Sequence, residues 1–143
     1  MRSTKLQHWV RSFLTNPAED HQCKVDDGLL WLQQRGGKLF ALAELTNKVP
    51  LDEMFLAQAL RLSAPALRHY GRDSAALALQ NNSLVLILRL HEAHSEKIAK
   101  QLESLLNQRD VWQGLLQKLP KKAITHCCVP LHSMAFLSRG DHG

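Results

Sequence analysis

The stretch SAALALQNNSLVLILRLHEAH, residues 74–94, holds two short apolar runs on either side of Gln80-Asn81-Asn82-Ser83. Successive residues of a β-strand point to opposite faces of its sheet. In the second run, one face therefore carries the leucines at 84, 86, 88 and 90, and the other carries Val85 and Ile87. The stretch predicts a hairpin whose second strand is apolar on both faces.

The rest of the chain predicts one α+β domain. Residues 4–15 place Leu6, Trp9, Val10, Phe13 and Leu14 on one helical stripe. Gly36-Gly37 between apolar runs is a hairpin signal. The predicted elements are helices over 4–15, 50–62 and 95–119, a further helical turn over 66–70, and strands over 22–25, 29–33, 38–45, 74–79 and 84–90. Pro50 is expected to open the middle helix, Pro65 to stop it, and Ser95 to cap the last one.

The domain is expected to span residues 1–119, and residues 120–143 to form a flexible tail, because the tail has neither helical nor strand periodicity. A chain of 143 residues can bury a core of its own. No apolar run reaches the roughly 18 residues that cross a bilayer, and the first thirteen residues do not resemble a secretory signal. Cys23, Cys127 and Cys128 do not form a disulfide framework, so we expect a reducing cytoplasm.

Several strands are apolar on both faces, which is more sheet surface than the predicted helices can cover. Trp31, Phe40 and Leu42 share this property with Val85 and Ile87. Large exposed apolar patches mark interaction sites. A second subunit and an extended client polypeptide are therefore expected to cover the second face. The alternative is that the middle helix covers that face within one chain.

No constellation of residues predicts catalysis, a cofactor or a metal site. His126, Cys127, Cys128 and His132 are metal-binding residue types, but their spacing matches no familiar zinc pattern. The Asp pair at 26–27 is ordinary turn chemistry. We therefore expect a protein that is not an enzyme.

The net charge of +5 does not by itself predict a nucleic-acid partner. The basic residues are dispersed, and the longest adjacent basic run is Lys121-Lys122. No recognisable nucleic-acid-binding motif accompanies the charge. We expect neither a nucleic acid nor a membrane partner, and a basic nucleic-acid-binding regulator remains the alternative function.

Two segments carry a resemblance to a known family. They are DGLLWLQQRGGKLFALAEL, residues 27–45, and LDEMFLAQALRLSAPALRHYGRDSAALALQNNSLVLILRLHEAHSEKIAKQLESLLNQRDVW, residues 51–112. This order of elements resembles the class I chaperones of bacterial type III secretion systems, the CesT/SycE-like family. The resemblance implies a cytoplasmic, homodimeric protein with an α-β-β-β-α-β-β-α fold, in which helices pack on a twisted antiparallel sheet.

The resemblance also implies functional residues and partners. The client would be the N-terminal segment of a secreted effector protein, handed over to the export apparatus and its ATPase in a process that serves virulence. No nucleotide or metal is implied for the chaperone itself. The implied client-binding residues are Trp9, Phe13, Leu29, Trp31, Phe40 and Leu42, and the implied dimer-interface residues are Leu56, Ala59, Leu60, Leu77 and Leu79.

Overall fold

A computed structural model describes residues 2–16, 21–46 and 51–119 of the chain. The predicted tail, residues 120–143, lies outside the described residues. The helices are α1 (Arg2–Thr15), α2 (Glu53–Arg61), α3 (Ser63–Tyr70) and α4 (Ser95–Gln117), and the strands are β1 (His21–Val25), β2 (Gly28–Arg35), β3 (Lys38–Glu44), β4 (Ala76–Gln80) and β5 (Ser83–Leu90). The predicted α+β class and the order of elements are confirmed.

The five strands form one antiparallel sheet in the order β1-β2-β3-β5-β4, so β1 and β4 are its edges. Three hairpins build it, each closed by a two-residue turn with positive φ at both positions: Asp26-Asp27, Gly36-Gly37 and Asn81-Asn82. Such turns match the natural twist of paired strands. Asp, Asn and Gly are the residues that adopt positive φ most readily, which explains why these sequences reverse the chain.

One face of the sheet, the core face, carries the hydrophobic core. Leu30 pairs with Ala43, and Ala43 pairs with Leu86, so these side chains share that face. Helices α1, α2 and α4 contribute their buried apolar side chains to the same cluster, and α1 packs along α4. The cluster's other strand residues lie an even number of positions from these three and therefore share the core face: Leu32, Ala41, Leu84, Leu88 and Leu90.

No described helix covers the opposite face, which we call the outer face. Its side chains include Trp31, Leu42 and Ile87, which lie opposite one another on β2, β3 and β5. None of them belongs to the core cluster. The buried side chains of α2, Phe55 and Ala59, do belong to it. The middle helix therefore packs on the core face and does not cover the outer face.

The helix boundaries differ from the predicted ones for local reasons. Helix α2 begins at Glu53, because the Asp52 carboxylate accepts a hydrogen bond from the Phe55 N–H at 2.7 Å and caps the helix. Pro50, the predicted first residue, lies outside the described residues. Pro65 does not stop a helix but lies in the first turn of α3, where a missing N–H is tolerated. Ser95, the predicted cap of α4, is instead the first residue of that helix, and His94 is the N-cap of α4.

Two polar side chains of α4 are fully buried and fix it to the sheet. The Ala75 N–H donates to Gln108 Oε1 at 2.9 Å, and Gln108 Nε2 donates to the Asp73 carbonyl at 2.6 Å. Arg109 packs against Gly28 at the start of β2 and lies 3.9 Å from the Asp26 carboxylate. These contacts hold the start of β4 and the β1–β2 turn against the same helix.

Candidate functional site

The outer face presents apolar side chains from the three central strands. Val85 and Leu42 are 1% and 4% exposed, although neither belongs to the core cluster. The others are half-buried. The apolar residues of this face are Leu29, Trp31, Phe40, Leu42, Val85 and Ile87. Their alternation with core residues places them on the outer face, where Leu29, Trp31, Phe40 and Ile87 keep part of their surface exposed.

A groove of about 240 Å³ crosses this face near the ends of β3 and β4 and the start of β5. Trp31, Leu32 and Val85 are its apolar lining residues, and His21 also lines it. Neutral amides and a hydroxyl surround them, and Gln80 Oε1 is buried without a hydrogen-bond partner among the described residues. The one carboxylate in the groove, Glu44, accepts a long 3.4 Å bond from the Leu29 N–H. A groove that combines apolar side chains with hydrogen-bonding groups suits an extended polypeptide.

Four of the six predicted client-binding residues meet on the outer face: Leu29, Trp31, Phe40 and Leu42. The structure does not bring Trp9 or Phe13 to them. Phe13 lies in the core cluster on the opposite side of the sheet and stacks edge-on against His21, with ring centroids 4.9 Å apart. Trp9 is half-buried and lines a shallow groove of about 490 Å³ along α1.

The predicted dimer residues divide by exposure. Ala59 is fully buried in the core, and Leu56 and Leu77 are half-buried against it. Leu60 on α2 and Leu79 on β4 are 60% and 53% exposed. An additional leucine that sequence reasoning did not single out, Leu67 on α3, is 59% exposed and lies seven residues beyond Leu60.

The two edge strands are further candidates for polypeptide binding. Strand β4, Ala76–Gln80, has no charged residue, and among the described strands it pairs with β5 alone. An uncharged edge leaves backbone donors and acceptors that can pair with another strand. Strand β1 forms the other edge, and β2 is its one partner within the part of the chain that the structure describes.

The described residues hold no group of three His, Cys, Asp or Glu side chains that could bind a metal ion. The Cys/His segment at 126–132 lies outside them. On β1, burial raises the pKa of the Cys23 thiol, and the nearby Lys5 ammonium partly opposes that rise. Within the described ranges, no helix is both long enough and apolar enough to cross a bilayer.

Comparisons with known proteins identify the fold. No protein-family model matches the chain, and no curated protein sequence matches it. The structure is similar to a chain in the crystal structure of the ExsC-ExsE complex, with a TM-score of 0.56 and 17% sequence identity. The match covers 80% of this chain and 95% of that chain. This likeness shows a fold of one five-stranded antiparallel sheet packed by helices, as the resemblance to the secretion chaperones implies.

Proposed function

We propose that this protein is a class I, CesT/SycE-like chaperone of a bacterial type III secretion system. It binds the N-terminal chaperone-binding segment of one or more effectors in the cytoplasm, keeps the segment secretion-competent and delivers it to the export apparatus. The observation that carries the proposal is the outer face, whose apolar residues lie outside the core cluster and under no described helix. The similar fold was seen in a complex of two proteins, which agrees with a binding role.

The proposed mechanism has no bond-making step. The effector segment binds in extended form, with backbone hydrogen bonds to a sheet edge and apolar side chains in the grooves. Full burial of each large apolar side chain contributes about 1.5–3 kcal/mol. Ordering a disordered segment opposes binding, so a long contact along the sheet is needed to give useful affinity.

The proposed client contacts begin with Trp31, Phe40 and Leu42 on the outer face. Leu29 extends this contact toward the β1–β2 turn. Trp9 gives a second anchor point on α1, where its ring is half-buried beside an open groove. Phe13 supports that helix from within the core.

The proposed homodimer uses the exposed leucines of α2, α3 and β4. Leu60, Leu67 and Leu79 have the largest exposed fractions among the described large apolar side chains. A stable interface buries more than about 1,200 Å² in total. Leu56, Ala59 and Leu77 lie beneath or beside these leucines and would shape the interface.

Docking to the export apparatus, including its ATPase, completes the proposal. The chaperone would supply the effector and a surface for docking. In this proposal the chain itself needs neither nucleotide nor metal.

The test is secretion by bacteria that carry the chain's gene and its partner effectors. Deleting the gene should abolish secretion of at least one effector, and the wild-type chain should restore it. A Trp31→Ser, Phe40→Ser variant should fail to restore secretion and should lose the effector on co-purification. Its matched control is Arg35→Ser, Lys38→Ser, which changes two exposed residues of the same hairpin.

Normal secretion with the Trp31/Phe40 variant would overturn the assignment to the outer face. Normal secretion of every effector after gene deletion would overturn the chaperone role. Steep loss of binding with added salt would favour the alternative of a nucleic-acid-binding regulator, since phosphate contacts are strongly salt-dependent.

A further inference from the structure

We propose that the groove on the outer face binds the C-terminal segment of the same chain, residues 123–138. The docking itself does not depend on the proposed function, because it concerns only this polypeptide. Its consequence for effector binding does rest on that function.

The groove favours an uncharged, partly apolar occupant. Its polar lining comes mainly from neutral side chains, among them Gln33, Gln80 and Ser83, around Trp31 and Val85. The buried Gln80 Oε1 is an acceptor without a donor among the described residues. A buried acceptor left without a donor is costly, so an occupant that supplies an N–H or O–H is favoured.

The C-terminal segment has the matching composition. Residues 123–138, AITHCCVPLHSMAFLS, contain no Asp, Glu, Lys or Arg. Most are apolar, and Thr125, His126, His132 and Ser133 add hydrogen-bonding groups. An imidazole N–H from either histidine can donate to the Glu44 carboxylate in the groove. Pro130 has no N–H, which agrees with a bound segment that pairs only part of its backbone.

Helix α4 ends at the end of the sheet where the groove lies. Gln113 Nε2 donates to Thr46 Oγ1 at 2.8 Å, just beyond the end of β3. Glu44 and Ser83, at the same end of the sheet, line the groove. Leu116 is buried in the core, and Leu119 packs against it. The last turns of α4 are therefore anchored at the end of the sheet where the groove lies.

The length of the connection is sufficient. Twelve peptide units separate Leu119 from Leu131 in the sequence. An extended chain advances at most about 3.3–3.6 Å per residue, so they span up to about 40 Å. A tethered segment has an effective concentration on the order of millimolar, which favours docking even when each contact is weak.

The outer face suits one extended segment better than a second folded copy. Val85 and Leu42 are already buried, so the apolar surface that remains exposed comes only from the half-buried side chains of this face. A protein–protein interface needs about 800 Å² from each partner. The most exposed leucines, at positions 60, 67 and 79, lie on α2, α3 and the core side of β4, where a second copy has more surface to cover.

If the protein is a chaperone, its own tail occupies the face until an effector displaces it. The tail then protects the apolar groove in the absence of effector and lowers the apparent affinity for short or weak clients. Substitutions that weaken tail docking should therefore tighten effector binding.

Disulfide trapping in the full chain tests the docking. Ala78→Cys lies on the outer face beside Val85, and Ala57→Cys, on an exposed position of α2, is the matched control. Both are made with Cys23→Ala, and with Cys127 or Cys128 kept one at a time. Under mild oxidation, Ala78→Cys should form an intrachain disulfide with a tail cysteine at least about tenfold faster than Ala57→Cys, at all protein concentrations. Disulfide-linked peptides from mass spectrometry give the partners.

Equal rates for the two variants would overturn the proposal. Products that link two chains and increase with protein concentration would instead assign the face to a second copy. Equal rates would leave the chaperone proposal intact, because no effector is present, whereas links between two chains would also count against effector binding on this face.

Dye binding provides a second readout that needs no new cysteine. Leu131→Glu, Phe136→Glu should increase the fluorescence of the apolar dye ANS several-fold, because the charged tail leaves the groove. Gly140→Glu, Gly143→Glu, beyond the uncharged stretch, adds the same charge and should have little effect. Unchanged dye binding in the first variant would contradict the proposal.

Discussion

Trp31 and Leu42 lie directly opposite each other on β2 and β3, on the face of the sheet that no described helix covers. One residue earlier on β2 and one later on β3, Leu30 and Ala43 are also paired, and both are fully buried under the helices. A shift of one residue along a strand exchanges the two faces. The register of these strands therefore decides which side chains form the core and which remain for binding.

Adjacent substitutions on β5 should separate the two faces energetically. Leu86→Ala removes a fully buried core side chain and should reduce the free energy of unfolding by about 2–5 kcal/mol. Ile87→Ala removes a half-buried side chain of the outer face and should cost about 1 kcal/mol. Urea denaturation of the two variants measures the difference. Equal losses would show that the outer face is packed as tightly as the core.

Two glycine substitutions should change stability in opposite directions. A Cβ at Gly28 would lie 2.8 Å from Nη1 of buried Arg109 and 3.3 Å from the Glu44 carbonyl oxygen. Gly28→Ala should therefore destabilise the protein by about 1–3 kcal/mol. Gly114 lies on an exposed position of α4 with nothing within 4 Å, so Gly114→Ala should stabilise by about 0.5–1 kcal/mol. Thermal unfolding reports both signs, and a stabilised Gly28→Ala would disprove the close approach.

The buried amide of Gln108 should be more important than an exposed amide on the same helix. Gln108→Ala leaves the Ala75 N–H and the Asp73 carbonyl without that partner and should cost about 1–3 kcal/mol. Gln113→Ala removes one exposed bond to Thr46 and should change stability by no more than about 0.5 kcal/mol. Chemical denaturation measures both. Similar effects would mean that Gln108 does not hold the start of β4.

The proposed dimer should depend on the leucines of α2 and β4. Light scattering should give the wild-type chain about twice its 16.2 kDa mass. Leu60→Asp, Leu79→Asp should shift it to the monomer, because two charges cannot be buried between apolar surfaces without large cost. Val111→Asp, Leu115→Asp, an exposed apolar pair on α4, is the control and should leave the dimer intact. A monomeric wild-type chain would contradict the proposed homodimer.

The sequence predicted those parts of the fold that depend on local chemistry. Alternation in β5 and the Gly36-Gly37 and Asn81-Asn82 turns identify the hairpins, because these features act between neighbours in the chain. The buried Arg109 was not predicted, although it lies on the apolar stripe of α4 between Leu105 and Trp112. Its burial depends on Gly28, which is distant in sequence and brought near only by the fold.

The candidate site was predictable in part for a similar reason. Alternation alone places Trp31, Phe40 and Leu42 on one face, so their grouping follows from the strand pattern. Phe13 and Ala59 were assigned to contacts with other chains, and the structure places both in the core of this one. A helical stripe shows that a face is apolar, but the partner that covers that face depends on tertiary packing.

The central claim is that the outer face binds an extended polypeptide, and photo-cross-linking in the native bacterium tests it most directly. The photoreactive residue p-benzoylphenylalanine replaces Phe40 on the outer face or, as the control, Tyr70 on α3. Adducts from position 40 should contain an effector's N-terminal segment or residues 123–138 of this chain, and position 70 should give neither. Absence of both adducts from position 40, or the same adducts from position 70, would contradict the account.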